Sequence, residues 1–114
     1  MTEAGLKTLI ETTLTIPVFG GQDSIIYPAA TLEVTEIAPR FFGDGHSVVR
    51  ESTAQIDLWY ISKADRDDAV EDLITAMDAT GDITSPTIDT YYDTTAKKYR
   101  ATIVTTYRYG LSET

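Results

Sequence analysis

Cysteine is missing from the sequence altogether. That removes disulfide scaffolds, thiolate zinc sites and cysteine nucleophiles together, and leaves the redox compartment open. Histidine occurs once, as His46 in the glycine-flanked stretch Gly43-Asp44-Gly45-His46. A catalytic role would also need an orienting acid and a pocket, and nothing in the sequence supplies that pairing, so His46 reads as an ordinary loop residue. Basic residues are scarce: nine Lys and Arg face eighteen Asp and Glu, a net charge of −9. Such an excess argues against a free-standing nucleic-acid binder, whose affinity rests on neutralised phosphates, and against docking on an anionic membrane face. No apolar run approaches the roughly twenty residues a spanning helix needs. The opening Met1-Thr2-Glu3-Ala4-Gly5 carries acid where a secretory signal starts basic, so export by that route is not expected.

What is present suits one α+β domain over residues 1–114, with 42% hydrophobic residues, enough to bury a core without staples. Leu6, Leu9, Ile10 and Leu14 recur at helical spacing behind a potential Thr2 cap, which predicts a helix over residues 2–14. Pro17 stops it, and residues 17–29 read as irregular connection, with Ile25-Ile26-Tyr27 as a short edge segment. Alternation over Thr31–Thr35 predicts a strand ended by Pro39. Residues 40–46 read as a turn, and Val48–Ile61 as a long strand paired with the first in a hairpin. A second helix is expected over residues 64–79, with Ala69, Val70, Leu73, Ile74 and Met77 as its apolar stripe. Ser62 and Asp65 resemble a capping box, and Asp65, Asp67 and Asp68 sit where the helix dipole favours negative charge. Residues 87–92 and 98–109 form a second hairpin, and threonine, at 19 of 114 residues, supports this much sheet.

The expected architecture is therefore α-β-β-α-β-β: a four-stranded, mostly antiparallel sheet with both helices packed on one face. Ala54, Ile56, Leu58 and Tyr60 share that face with Tyr99, Ala101, Ile103, Thr105, Tyr107 and Tyr109. The other face is expected to carry Arg50, Gln55, Asp57, Trp59, Arg100 and Arg108, open to solvent or to another subunit.

Catalytic signals are absent. The spacing of Asp65-Arg66-Asp67-Asp68 does not match a calcium loop, and helix capping explains the same residues. Gly20-Gly21 and Gly43-Asp44-Gly45 lack the phosphate-cradling patterns. Lys97-Lys98-Tyr99-Arg100 is the one basic cluster, read as a solvated hairpin end that protects an edge rather than as a phosphate contact. Phe41 and Phe42, beside a glycine, either fold over the core edge or face a partner. Trp59 falls on the polar face by strand alternation, and an outward tryptophan points to a covered, protein–protein surface. Trp59, Phe41, Phe42, Arg50, Arg100 and Arg108 are thus the candidate interface residues, with the Gly20–Ile26 loop next. No catalytic, metal-binding or cofactor-binding residue is assigned.

Several features together resemble a known family. An N-terminal helix precedes Ile16-Pro17-Val18 and a glycine-containing loop. A strand ends in Gln55-Ile56-Asp57-Leu58-Trp59 and passes at once into an acidic-start helix, Ser62 to Met77. The strand from Tyr99 to Tyr109 closes the domain. In these respects the chain resembles the small tail-completion, or tail-terminator, proteins of long-tailed bacteriophages, which join head to tail. The resemblance implies a homo-hexameric ring without a cofactor that caps the tail tube and offers a surface to the head-side connector protein. DNA would pass through unbound, which a charge of −9 suits. It implies residence in the virion after assembly in the host cytoplasm. Two alternatives stand beside it. One is a head-side neck protein. The other is a small ligand-binding or regulatory module that dimerises through its open sheet face and holds an anionic metabolite on Arg50, Arg100 and Arg108.

Overall fold

A computed structural model of the chain describes residues 1–20, 27–36, 40–42, 47–84 and 86–110, those at 36, 40–42, 47–50 and 109–110 by their backbone alone. Helix α1 spans Glu3–Leu14. Thr2 caps it by accepting the Gly5 N–H at 3.0 Å, which satisfies one of the orphan donors of the first turn. Helix α2 spans Lys63–Asp78, and Ser62 caps it by accepting the Asp65 N–H at 3.1 Å. The acidic run at its start therefore has a helix-terminal origin, as expected.

The described residues form six strands: β1 (Val18–Phe19), β2 (Ala29–Glu36), β3 (Arg40–Phe42), β4 (Ser47–Tyr60), β5 (Thr87–Asp93) and β6 (Lys98–Gly110). They make one sheet in the order β1-β2-β4-β6-β5, with β3 beside β4. The fold is α+β with two helices, but the sheet is larger and more mixed than four antiparallel strands. Val18 and Phe19 pair in parallel with Ala30 and Thr31, where irregular connection was expected. Arg40 to Phe42 pair with Ser47 to Val49, inside the expected turn. Two- and three-residue strands are too short to show a period; neighbouring backbone creates them by offering unpaired groups. Ile25 and Ile26 lie outside the described residues, as does His46.

The long strands form the spine. β4 pairs with β6 from Val49↔Gly110 to Tyr60↔Tyr99, and with β2 from Ala29↔Trp59 to Glu36↔Ser52. This register aligns Leu32, Ile56 and Ile103 on one row and Ala30, Leu58 and Ala101 on the next. Those alternate positions face the helices. Leu6 and Ile10 of α1, Leu73 and Met77 of α2, and Ile56, Leu58 and Ile103 of the sheet are all fully buried in one cluster. Past α2, residues 82–84 run along β6: Thr84 N–H donates to Thr106 O, and Arg108 N–H to Asp82 O. The edge of β6 is thus covered by β5 over one half and by this segment over the other.

Arg66 departs from expectation. It lies in the acid-rich first turns of α2 yet is buried, with its guanidinium on Asp67 Oδ1 at 2.8 Å and 5.6 Å from the Tyr99 ring centre. Its position, three before Ala69 and seven before Leu73, continues the apolar stripe one turn back, so the long side chain packs by its stem.

Candidate functional site

The sheet face opposite the helices meets no helix, and its central row reads Trp59, Arg100 and Tyr91 across β4, β6 and β5, directly paired in register. The Arg100 guanidinium lies 3.6 Å from the Trp59 ring centre and 5.3 Å from that of Tyr91. Nη2 of Arg100 donates to Asp57 Oδ1 at 3.0 Å, and Nη1 to Asp93 Oδ2 at 3.1 Å. Asp57 also accepts from Thr102 Oγ1 at 2.7 Å and from Gln55 Nε2 at 3.1 Å. One cation is therefore held by two carboxylates in its plane and by aromatic rings on its faces, the geometry a guanidinium fills better than an ammonium. Tyr27 extends the aromatic group, 6.0 Å from Trp59, with Lys98 Nζ 4.7 Å from the Tyr27 ring centre.

Alternation places Trp59 on the outer face as expected. The cover over its ring, however, comes from within the chain: Arg100 stacks on it. Trp59 Nε1 and Arg100 Nε are buried and find no acceptor among the described residues. The turn beside them is anchored by Asp93, whose Oδ1 accepts from the Thr95 and Ala96 N–H groups at 3.0 Å each. The Ala96 N–H foremost, then Arg100 and the Thr95 N–H, hold the Asp93 carboxyl below the ordinary carboxylate range, against a push upward from burial.

The six sequence candidates do not gather into one patch. Trp59 and Arg100 meet. Arg108 lies on the same face eight residues along β6, about 27 Å away at the strand rise, and its Nε meets Glu51 Oε1 at 3.2 Å. Arg50 pairs in register with Tyr109 and falls in the alternate set of Ser52 and Ala54, not in that of Trp59, so its grouping with the outer face is corrected. The side chains of Phe41, Phe42 and Arg50 lie outside the described part of the structure, as does most of the Gly20–Ile26 loop.

Strand β5 was expected from the sequence, but its exposure was not. It is an edge strand exposed along nearly its whole length, with Ile88 at 41%, Tyr91 at 37% and Tyr92 at 48% of full accessibility. Val104 on the neighbouring strand is exposed as well, and so is Ile61 just after β4. Five of the seven residues of β5, Thr87, Ile88, Thr90, Tyr91 and Tyr92, have high β-propensity, and it carries neither lysine nor proline along the open edge. The signal was legible in part: Tyr91 and Tyr92 occupy consecutive positions, so one of them must leave the core whichever face is buried.

Other concavities offer less chemistry. An apolar groove of about 280 Å³ runs between α1 and β1, lined by Ala4, Val18, Phe19 and Leu32 with Glu3 and Lys7 at its rim. Among the described residues no group of His, Asp or Glu side chains is placed to hold a metal ion. Among the described residues no helix is long and apolar enough to cross a membrane. No protein-family model matches the chain, and no curated protein is similar to it in sequence.

Proposed function

We propose that this protein is a structural subunit of a bacteriophage virion: a tail terminator that caps the completed tail tube as a homo-hexameric ring and forms the head–tail joining surface. The observation that carries the reading is β5. A strand that leaves Ile88, Tyr91 and Tyr92 in solvent on both of its faces, at an open sheet edge, suits a subunit completed by its neighbours. The motif resemblance supplies the setting, and an α+β domain with a hairpin on either side of α2 is compatible with it.

In this reading the tail tube protein and the head-side connector are the partners beyond the ring, and DNA slides past without being gripped. A charge of −9 favours that passage, since phosphates meet few cations. The outer-face arginines support structure rather than ligand capture. Arg100 is engaged by Asp57 and Asp93, and Arg108 by Glu51, so an incoming anion would have to displace carboxylates of the chain itself.

Electron microscopy of lysates from a phage with an early stop in this gene tests the proposal. Full heads beside unjoined, ragged or overlong tails are the expected result. Complete tails with defective heads would move the protein to the head side of the neck, and normal infectious particles would overturn a role in joining.

A further inference from the structure

The apolar groove between α1 and β1 and the exposed strand β5 lie at opposite edges of one sheet, whose order is β1-β2-β4-β6-β5. They also lie at one level. Leu32, which lines the groove, pairs with Ile56, Ile56 with Ile103, and Ile103 with Ile88 of β5. A single row of aliphatic side chains therefore starts in the groove, crosses the core and ends at the open edge. Ile56 and Ile103 are fully buried within it, whereas Ile88 is 41% exposed.

The groove matches the side chain in chemistry and size. It encloses about 280 Å³ between Ala4, Val18, Phe19 and Leu32. An apolar cavity of about 150 Å³ is enough to take up benzene, so a branched aliphatic side chain fits here. Glu3 and Lys7 stand only at the rim, and Lys7 is turned to Glu11 at 3.8 Å. Neither of the buried side-chain donors that lack an acceptor among the described residues, on Trp59 and Arg100, lies in the groove. Nothing polar in its floor would orient a small polar ligand.

Strand direction fits as well. β1 runs parallel to β2, and each later strand in the order is antiparallel to the one before, so β5 runs opposite to β1. A rotation about an axis along the strands brings β5 of one copy beside β1 of the next, antiparallel and at unchanged level. Such a heterologous contact uses both sheet edges of every copy and closes into a ring. Copies that each carry −9 repel one another, which leaves attraction to apolar burial.

We propose that Ile88 of one copy seats in the α1–β1 groove of the next, so that the row Leu32–Ile56–Ile103–Ile88 runs on from subunit to subunit. The inference rests on the assembly reading above and deepens it by naming the surface that receives the β5 edge.

The absence of cysteine allows a test with one thiol per chain. Ala4→Cys and Ile88→Cys both alter exposed side chains, so folding is spared. The two variants are mixed and treated with a short bifunctional thiol reagent, in solution and again on unjoined tails from a phage lacking this gene product. The expected product is a covalent pair of one Ala4→Cys and one Ile88→Cys chain, with little self-coupling of either. Ile88→Cys chains coupled mainly to one another would mean that β5 edges meet across a two-fold axis, and would overturn the contact. Absence of the mixed pair both in solution and on tails would overturn it as well. The tail-cap reading fails separately, through the micrographs, because a mixed pair formed in solution needs no tail. Sedimentation supplies a second readout. Ile88→Ala should weaken self-association by about tenfold to a hundredfold, the loss expected from removing most of a buried aliphatic side chain. Added salt should strengthen association by screening repulsion between acidic copies. Weakening by salt would assign the contact to ion pairs and overturn the proposal.

Discussion

Arg100→Ala is the substitution whose consequences the structure defines most fully. It removes a guanidinium that is 19% exposed from Asp57, itself 10% exposed, and from the face of Trp59. A hydrogen bond to a charged group is worth about 1.5–3 kcal/mol, and a partly desolvated cation–π contact about 1–2 kcal/mol. Two considerations reduce the sum. Asp57 keeps its bonds from Thr102 and Gln55, so it is not left bare. Residual solvent also screens the pair. A loss of about 2–3 kcal/mol remains, equivalent to a fall of roughly 10 °C in Tm for a domain of this size. Chemical denaturation followed by tryptophan emission reads both consequences at once, because Trp59 is the sole tryptophan. The midpoint should fall, and native emission should shift to the red as the indole loses its cover. Arg100→Lys should recover less than half of the stability, since an ammonium cannot stack flat while reaching two carboxylates. A loss below about 0.5 kcal/mol with unchanged emission would refute the reasoning, placing this network among exposed ion pairs of negligible worth.

Three further outcomes are expected. Leu73, fully buried between α2 and the sheet, should cost about 2–5 kcal/mol on Leu73→Ala, read as a shift in denaturant midpoint at unchanged slope. Tyr60 is held above its ordinary value of 10, so its contribution to stability is full below that pH and is lost as pH climbs toward about 12. Asp72→Asn should lower the tyrosinate midpoint of Tyr60, measured by ultraviolet absorbance, and shift that loss to lower pH. Asp93 has the opposite sign. Its lowered pKa gives stability that is present above the ordinary carboxylate value of about 4 and lost as pH falls through the lowered one, so Asp93→Asn should flatten the acid limb of a pH–stability curve.

Much of the scaffold was legible because its signals are local. Leu6, Ile10 and Leu14 recur at helical spacing behind Thr2, and Ser62 caps α2 where its sequence suggests. The parity of β4 and β6 put Trp59 and Arg100 on one face. It could not place them side by side, because register depends on where the strands begin to pair across forty intervening residues. β1 and β3 were missed for a related reason: their pairing depends on neighbouring backbone, not on any period of their own. Arg66 was hidden by its charge, although it falls on the apolar stripe of α2. The groove between α1 and β1 needs the helix folded back along the strand, a juxtaposition that neither element encodes alone.

The account turns on whether the exposed β5 edge is an assembly surface of a tail cap, and in vitro complementation addresses that most directly. Purified protein is added to a lysate of unjoined heads and tails from a phage lacking this gene product, and infectious particles are counted. The wild-type chain should restore them, whereas Ile88→Lys, altered at a side chain already exposed in the folded subunit, should keep its thermal midpoint and fail. Equal restoration by both proteins would contradict the claim for β5, and failure of the wild-type chain to restore any would contradict the claim for head–tail joining.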